Sequence, residues 1–458
     1  MEGENDMPIE YGLAAGFRDY LPADMIPRQK MLDTIRSVFE RFGFVPLDTP
    51  GLEQESVLTG GDPNFKMHIF RAGLKNSNES LALRFDLTVP LARVVATYRN
   101  EITRPFKRYQ MGKVWRGEKP QAGRFREFTQ FDADIVGTKS MQADAEIVAL
   151  IAETMIALGF EKSLVRVNNR KILNGLAEYA GFPAERTAEV LRIIDKLDKI
   201  AWEGVAEELG RAPDGDMPGV GLADQEITAI KRFIEIRGGT QDEILQAVES
   251  LMAGAPTAQV GIAELREVLA HVRALGVPDE KWAIDLSVAR GLGYYTGPVF
   301  EAILTDLPGI GSVFSGGRYD DLVARFNPNA TVPAVGASVG VDRIFAAMEK
   351  LGIVRGQKTV TQVMVLNFDK NCATTGEAVV ASLRRADIPS EIYLGGESTL
   401  KAQLTYAVKQ DIPIVVIIGE SEKSAGVVQV KDLRTKNQTT VSQSEVAQAV
   451  SRLLGRSS

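Results

Sequence analysis

Between Arg99 and Phe128 the chain carries nine arginines and lysines against three glutamates, a local charge of +6 in a protein whose formal net charge is −7. Arginine's planar fork matches phosphate oxygens two at a time, so Arg116 and Arg124, at the two ends of one loop, can converge on a single polyphosphate. Gly117 and Gly123 lie beside them and allow the backbone to approach a ligand closely. On charge alone a basic hairpin facing water is the favoured reading, which the two glycines only partly offset. Three further groups stand apart in the sequence. Asp86 and Thr88 follow a short apolar run, Gln130 and Asp134 are four residues apart, and Arg290 leads Gly291-Leu292-Gly293-Tyr294-Tyr295-Thr296-Gly297. An even spacing on a strand puts an amide and a carboxylate on one face. Taken singly, each group also suits a structural role, because strand ends carry Asp and Thr and paired tyrosines pack. An arginine beside two glycine-flanked tyrosines fits that role less well.

Other chemistries are poorly supported by composition. One cysteine, Cys372, excludes an intrachain disulfide and a multi-cysteine zinc site, and only His68 and His271 remain as imidazoles, each in an apolar context that suits packing. A site here is therefore expected to use carboxylates, arginines, tyrosines and amides. No Gly-x-x-x-x-Gly-Lys-Ser/Thr loop, Gly-x-Ser-x-Gly or His-Glu-x-x-His motif is present. The acidic net charge argues against coating a polyanion with the whole surface, so any nucleic-acid contact is local. The strongest apolar run, 412–418, is far short of the ~20 residues of a membrane-spanning helix. The acidic opening, 1–6, has no signal-peptide pattern, and a cytoplasmic location with no membrane segment is the expectation.

These residues need elements to hold them. With 458 residues, two or three domains are expected. Met31, Ile35, Val38, Phe39 and Phe42 recur at helical spacing before Gly43, followed by a strand over 44–47. A strand over 81–85 and a helix over 89–98 come next, then strands over 107–115 and 126–136 joined by the basic loop as a long antiparallel hairpin. From about 144 to 275 the periodicity is helical, with a Gly/Pro/Asp-rich break at 211–221. Strands follow over 284–288, 299–304 and 335–339, with a glycine-rich turn at Gly316 and Gly317 and a helix over 341–351. After a linker at 352–361, strands over 363–368, 391–394 and 414–418 alternate with helices over 375–386 and 400–410, a βαβ pattern with a mostly parallel core. Ser442 and Glu445 read as a capping box for a last helix.

Several separate motifs, in order, resemble the class II histidyl-tRNA synthetases over essentially the whole chain. Residues 43–50 resemble motif 1, 106–132 motif 2 and 333–343 motif 3. Residues 289–297 and 315–323 resemble the two histidine-specific motifs, 83–90 also matches, and 388–420 resembles the anticodon-binding domain. The resemblance implies an α+β catalytic domain with a class II, six-stranded-type antiparallel sheet, a helical insertion and a C-terminal α/β anticodon-binding domain. The corresponding boundaries are 1–170 for the first part of the core, 171–275 for the insertion, 276–355 for the second part and 361–458 for the anticodon-binding domain.

The resemblance further implies activation of L-histidine by ATP, with Mg²⁺, to histidyl-adenylate, then transfer to tRNA(His). It assigns Arg116 to the α-phosphate and the amino-acid carboxylate, Glu118, Arg124 and Arg343 to ATP, and Arg290 to the α-phosphate from the other side. The α-ammonium falls to Asp86, Thr88 and Gln130, next to Leu87. The imidazole falls to Asp134 and a tyrosine hydroxyl, Tyr294 or Tyr295. Gln121 is a candidate for the tRNA acceptor end, the metal ligands are not defined, and motif 1 implies a homodimer. Gly293 departs from the aspartate often found in this motif. A non-catalytic, histidine-sensing paralogue of the ATP phosphoribosyltransferase regulatory type is the alternative; it typically lacks the anticodon domain and loses catalytic arginines, whereas Arg116, Arg290 and Arg343 are all present here. A class II synthetase for another amino acid conflicts with the paired tyrosines and with the motif at 315–323.

Overall fold

The computed structural model describes residues 11–60, 69–73, 78–119, 125–213, 219–289, 294–327 and 331–456. The chain divides into two compact units, one holding residues 31–353 with the segment ending at Arg18, the other holding 19–30 and everything from Val354 onward.

In the first unit, strands β1 (Val45–Pro46), β2 (Leu52–Gln54), β3 (Arg71–Ala72) and β4 (Leu81–Leu83) precede the two long arms β5 (Phe106–Trp115) and β6 (Glu127–Val136). β7 (Ser163–Asn169), β8 (Trp282–Ile284), β9 (Pro298–Leu304), β10 (Phe314–Arg318) and β11 (Ala334–Gly340) follow. Eight of them form one sheet in the order β1-β5-β6-β11-β10-β9-β7-β8, while β2, β4 and β3 form a small separate sheet. The six inner strands pair antiparallel throughout, and only the edges β1 and β8 pair parallel. This is the expected antiparallel class II sheet, flanked by two parallel edge strands.

Two helices cover the back of the sheet. From Met31 onward the helix Pro22–Arg41 buries Met31, Ile35, Val38 and Phe39, and the Phe39 ring meets Phe131 of β6 edge-on at 5.0 Å. The helix Met141–Ala157, capped by the Ser140 hydroxyl accepting from the Gln142 N–H, is buried along most of its length. Arg318, at the end of β10, ties the sheet to that helix. Its Nε donates to both oxygens of Asp144 at 3.1 Å, and its Nη1 and Nη2 donate to the carbonyls of Thr138 and Ser140 at 3.0 and 3.1 Å. Both side chains are essentially sealed from water, and burial raises the Asp144 carboxyl to about 6 despite the arginine.

Several expectations need correction, among them the strand placed over 284–288, which is instead β8 and ends at Ile284. The stretch 144–275 is not helical throughout, because β7 crosses it between β8 and β9. Its Leu164-Val165-Arg166-Val167 alternation is too short to break a helical window, and the strand is specified by its neighbours, with Val165 and Val167 fully buried. Gly316 and Gly317 form no turn but lie inside β10. A Cβ on Gly316 would come within 2.6 Å of the Ala337 Cα, so glycine is required there by the closeness of the next strand.

The second unit carries β12 (Val363–Val365), β13 (Ser390–Ile392), β14 (Ile414–Ile417), β15 (Val427–Asp432) and β16 (Gln438–Ser442) in the order β13-β12-β14-β15-β16. β12 pairs parallel with β13 and β14, but β15 and β16 add an antiparallel hairpin, so the sheet is mixed rather than mostly parallel. Val363 and Val365 face one apolar cluster and Met364 and Leu366 another, as expected for a sheet covered on both faces. The Ser442–Glu445 pair makes no capping box. Ser442 ends β16 and its hydroxyl donates to the Glu445 carboxylate at 2.6 Å, while the helix starts at Val446.

Arg318→Met would strand a buried carboxylate, and breaking a buried pair from one side costs about 3–5 kcal/mol. The variant is expected to unfold at lower urea concentration than the wild type at pH 7.5, and part of the loss is recovered as pH falls toward 5 and Asp144 takes up a proton. Urea melts at the two pH values check both the size and the sign.

Candidate active site

Strand register decides which side chains share the floor of the site. Across the hairpin, Arg108 stands opposite Asp134 and Gly112 opposite Gln130. On the other flank of β6, Gly336, Ser338 and Gly340 stand opposite Asp134, Asp132 and Gln130. Alternation then sends Gln130, Asp132, Asp134 and Arg108 to one face, while Phe131, Ala133 and Ile135 fill the core behind. Gly336 is there for space: a Cβ would overlap Asp134 Oδ1 and come 2.7 Å from the Ala133 carbonyl.

Asp134 is almost fully buried and accepts a hydrogen bond from the Tyr319 hydroxyl. Its other oxygen lies 2.7 Å from Arg108 Nη2, an ion pair whose approach is not along an N–H, so that oxygen keeps hydrogen-bonding capacity. Burial raises the Asp134 carboxyl, opposed by the Arg108 charge and the Tyr319 hydrogen bond. Asp132, equally buried, is raised to about 7 by the same desolvation, with Arg108 pulling down and Asp134 pushing up.

Asp86 sits between β4 and the helix Thr88–Thr97, with 2% of its surface exposed. Its Oδ1 accepts from the Val89 N–H at 3.1 Å, whereas Oδ2 has no partner among the described residues. Burial brings this carboxyl to about 6. Gln130 donates from Nε2 to the Ser338 hydroxyl at 2.7 Å, which leaves its buried Oε1 without a partner as well. Buried acceptors lacking donors are rare in folded proteins, and two in one pocket suit a ligand rich in N–H, such as an ammonium group.

Tyr294 and Tyr295 close the pocket from the segment before β9, with their rings edge-on at 5.2 Å, and Tyr294 meets the Tyr319 ring at 6.0 Å. Tyr294 shares a hydrogen bond with the Thr88 hydroxyl. Burial pushes both phenols well above their ordinary value, so they remain neutral and can donate or accept.

Beside this pocket lies a cavity of about 290 Å³ whose lining includes Arg116, Glu118, Phe128, Gln130, Asp342 and Arg343. Arg116 donates from Nε to the Phe85 carbonyl at 3.2 Å, and its guanidinium sits 5.0 Å from the Phe128 ring centre. Arg343 is steadied by the Ser312 carbonyl at 2.7 Å. Gln130 is common to pocket and cavity. The basic run of the hairpin is divided: Arg126 donates to the carbonyls of Glu118 and Ala15, Lys113 pairs with Glu127 and Arg116 lines the cavity, while Arg99, Arg104 and Lys119 are exposed.

Of the residues expected from sequence, Asp86, Thr88, Gln130, Asp134, Tyr294 and Tyr295 gather at the pocket, and Arg116, Glu118 and Arg343 at the cavity. The Leu87 side chain is fully buried, and its carbonyl accepts from Arg108 Nη2 at 3.3 Å. Arg290, Arg124, Gln121, Gly293 and His68 lie outside the described residues. His271 lies outside the site, on the helix Pro256–Ala274, with its Nε2 3.9 Å from Glu267. Sequence reasoning missed Arg108, Asp132, Tyr319 and Ser338. For Asp132 the signal was present: it lies midway between Gln130 and Asp134 in the same alternation.

A family model described as histidyl-tRNA synthetase matches residues 16–344, and an anticodon-binding domain model matches 362–453. Histidine–tRNA ligases of Rhodopirellula baltica and Clostridium tetani are 42% and 40% identical, over 94% and 96% of this chain and 95% and 98% of their own. The crystal structure of a histidyl-tRNA synthetase from Nostoc sp. superposes with a TM-score of 0.86 at 34% identity, covering 97% of this chain and all of that one. A family model spanning most of the chain, relatives matching almost end to end and a shared architecture carry one conclusion: the chain belongs to the histidyl-tRNA synthetase family.

Proposed function

We propose that the protein joins L-histidine to tRNA(His) in two steps, and that the observation carrying this reading is a polar pocket with two unpartnered buried acceptors beside an arginine-lined cavity. In the first step the histidine carboxylate attacks the α-phosphorus of ATP, a mixed anhydride forms, and the bond to pyrophosphate breaks. Two anions must meet, so fixed positive charge has to stand where they approach. Arg116, between pocket and cavity, neutralises the carboxylate and the α-phosphate. Arg343 and, by family resemblance, Arg124 hold the rest of the triphosphate, and Arg290 takes the α-phosphate from the far side. Mg²⁺, when bound, spreads phosphate charge; Glu118 and Asp342, on the cavity wall, fit the one or two carboxylates such an ion uses. In the second step a hydroxyl of the terminal ribose attacks the activated carbonyl, AMP leaves with the bonding electrons, and the hydroxyl proton is released.

Asp86 Oδ2 and Gln130 Oε1 receive the α-ammonium, with the Thr88 hydroxyl alongside. Asp134 and a tyrosine hydroxyl, Tyr294 or Tyr295, address the two imidazole nitrogens, one needing an acceptor and the other a donor. The anticodon-binding match at 362–453 supports tRNA as the acceptor, and the retained Arg116 and Arg343 favour catalysis over histidine sensing. We also infer a homodimer. Leu47, Pro50, Val57, Tyr98, Ile102 and Phe106 line a groove of about 650 Å³, and Val45, Leu52 and Tyr98 beside it are nearly half exposed. No helix among the described residues is long and apolar enough to cross a membrane, in keeping with a cytoplasmic enzyme.

Histidine-dependent exchange of labelled pyrophosphate into ATP tests the central reading. Exchange with histidine and with no other amino acid is expected; exchange with none would overturn it. Arg116→Ala is expected to lower the exchange rate by about 10²–10³, the usual effect of removing a preorganised charge-stabilising group. Asp132 takes up a proton as pH falls through about 7 and Asp86 as it falls through about 6, and the pocket then loses negative charge that offsets the substrate ammonium. The kcat/KM for histidine should therefore drop on the acid side of pH 7, which a pH series at saturating ATP measures. Sedimentation equilibrium should give a dimer, and Tyr98→Asp a larger monomer fraction.

A further inference from the structure

The search centred on buried charge that the mechanism leaves without a role. Arg108 has no exposed surface, yet its guanidinium lies under the histidine pocket. Nη2 makes both its polar contacts, the 2.7 Å ion pair to Asp134 and the 3.3 Å hydrogen bond to the Leu87 carbonyl. Leu87 stands between Asp86 and Thr88, the ammonium acceptors, while Asp134 belongs to the imidazole end. One nitrogen therefore spans the two ends of the pocket. The remaining donors, Nε and Nη1, are buried without partners among the described residues, so Arg108 is not kept for an optimised hydrogen-bond network of its own.

We propose that Arg108 is a positioning residue for histidine recognition: it fixes the spacing between the ammonium loop at 86–88 and Asp134, and holds the Asp134 carboxylate from beneath the pocket. The proposal rests on the histidine-activating reading above and adds to it a residue that touches no substrate. The surroundings support it from every side. Asp132 lies next to Asp134 on β6, Asp86 approaches from the loop before the helix Thr88–Thr97, Tyr295 from before β9, and Tyr319 from the end of β10. Arg84, after β4, is another nearby buried cation, but its guanidinium is bound to the carbonyls of Thr49 and Lys113 at 2.5 and 2.9 Å, and the carboxylates acting on it are Asp48, Glu53 and then Asp132, not Asp134. Arg108 is thus the buried cation that faces Asp134. Register makes the placement rigid, since Arg108 and Asp134 are direct cross-strand neighbours.

The test compares wild type, Arg108→Met and Arg108→Lys in histidine-dependent pyrophosphate exchange across pH 5.5–9. With Met, the KM for histidine is expected to rise by about tenfold or more while the KM for ATP stays within about threefold, and the acid limb of kcat/KM for histidine moves up by about 1 pH unit, since an opposite charge at this range shifts a carboxyl by about 1–3 units. The sign follows from removal of the cation, whose charge lowers both Asp86 and Asp132, so both become easier to protonate without it. With Lys the limb stays near that of wild type, because the charge remains. The histidine KM still rises, because a point charge cannot reproduce the guanidinium geometry. Should Arg108→Met fail to fold, the Lys variant decides alone, and a wild-type histidine KM in it overturns the proposal. A folded Met variant with unchanged KM and unchanged acid limb does the same, while leaving the activity assignment intact. Wild-type protein that shows no histidine-dependent exchange overturns the underlying reading instead.

Discussion

Taking a carboxylate out of water costs several kcal/mol unless charge or hydrogen bonds replace the solvent, and this protein buries Asp86, Asp132 and Asp134 within one pocket. That cost organises the rest of the first unit. Arg108 and the Tyr319 hydroxyl compensate Asp134, the Val89 N–H compensates one oxygen of Asp86, and the remaining capacity is left for a substrate. A pocket complete without its ligand would have had no reason to leave Asp86 Oδ2 and Gln130 Oε1 without donors. The desolvation that raises these carboxyls is therefore the same feature that would make them strong acceptors for the ammonium and imidazole N–H of the proposed substrate.

Holding such groups in place is a task for strands rather than loops. The arms of β5 and β6 are ten residues each and pair without a bulge from Phe106–Val136 to Trp115–Glu127, so the cross-strand position of every site residue follows from register alone. A one-residue slip of β6 against β5 would send Gln130, Asp132 and Asp134 to the core and Phe131 to the pocket, a change the Phe39, Tyr109 and Phe131 cluster forbids. The apolar face of the hairpin thus enforces the geometry of the polar one. Gly336 completes the arrangement by leaving room for the Asp134 carboxylate where any side chain would collide with it.

This division also explains what the sequence could disclose. Long periodic segments were readable: the helix ending at Arg41, both arms of the hairpin, and the helices that follow Ala373 and Leu400 lie within a few residues of their expected places. β7 was hidden, because a short buried strand between helices is specified by its neighbours across the sheet. Gly316 and Gly317 misled for a related reason, since crowding from an adjacent strand leaves the same glycine signature as a turn. In the site, the motif residues that the structure describes lie near one another, but Arg108 and Tyr319 were not singled out. Their importance lies in which carboxylate they face across strands, and pairing over 26 or 185 positions leaves no local pattern.

The pocket's chemistry bears on how an enzyme of this family keeps its accuracy. A hydrophobic pocket separates substrates differing by a methylene by only about 1–3 kcal/mol, whereas a site built around substrate hydrogen bonds rejects analogues that leave its own polar groups unpaired by about 10⁴–10⁵. Here the penalty is built in twice. With the proposed contacts, a ligand without an α-ammonium would leave Asp86 Oδ2 and Gln130 Oε1 unsatisfied, and one without a ring N–H would leave the free capacity of Asp134 unused in a dry environment. Neutral tyrosines, held so by burial, supply the complementary donor without adding charge. Discrimination of this size needs no separate hydrolytic site. The second unit, with its own mixed sheet and its match to anticodon-binding domains, is then left to the other half of the problem, recognition of the nucleic acid that receives the amino acid.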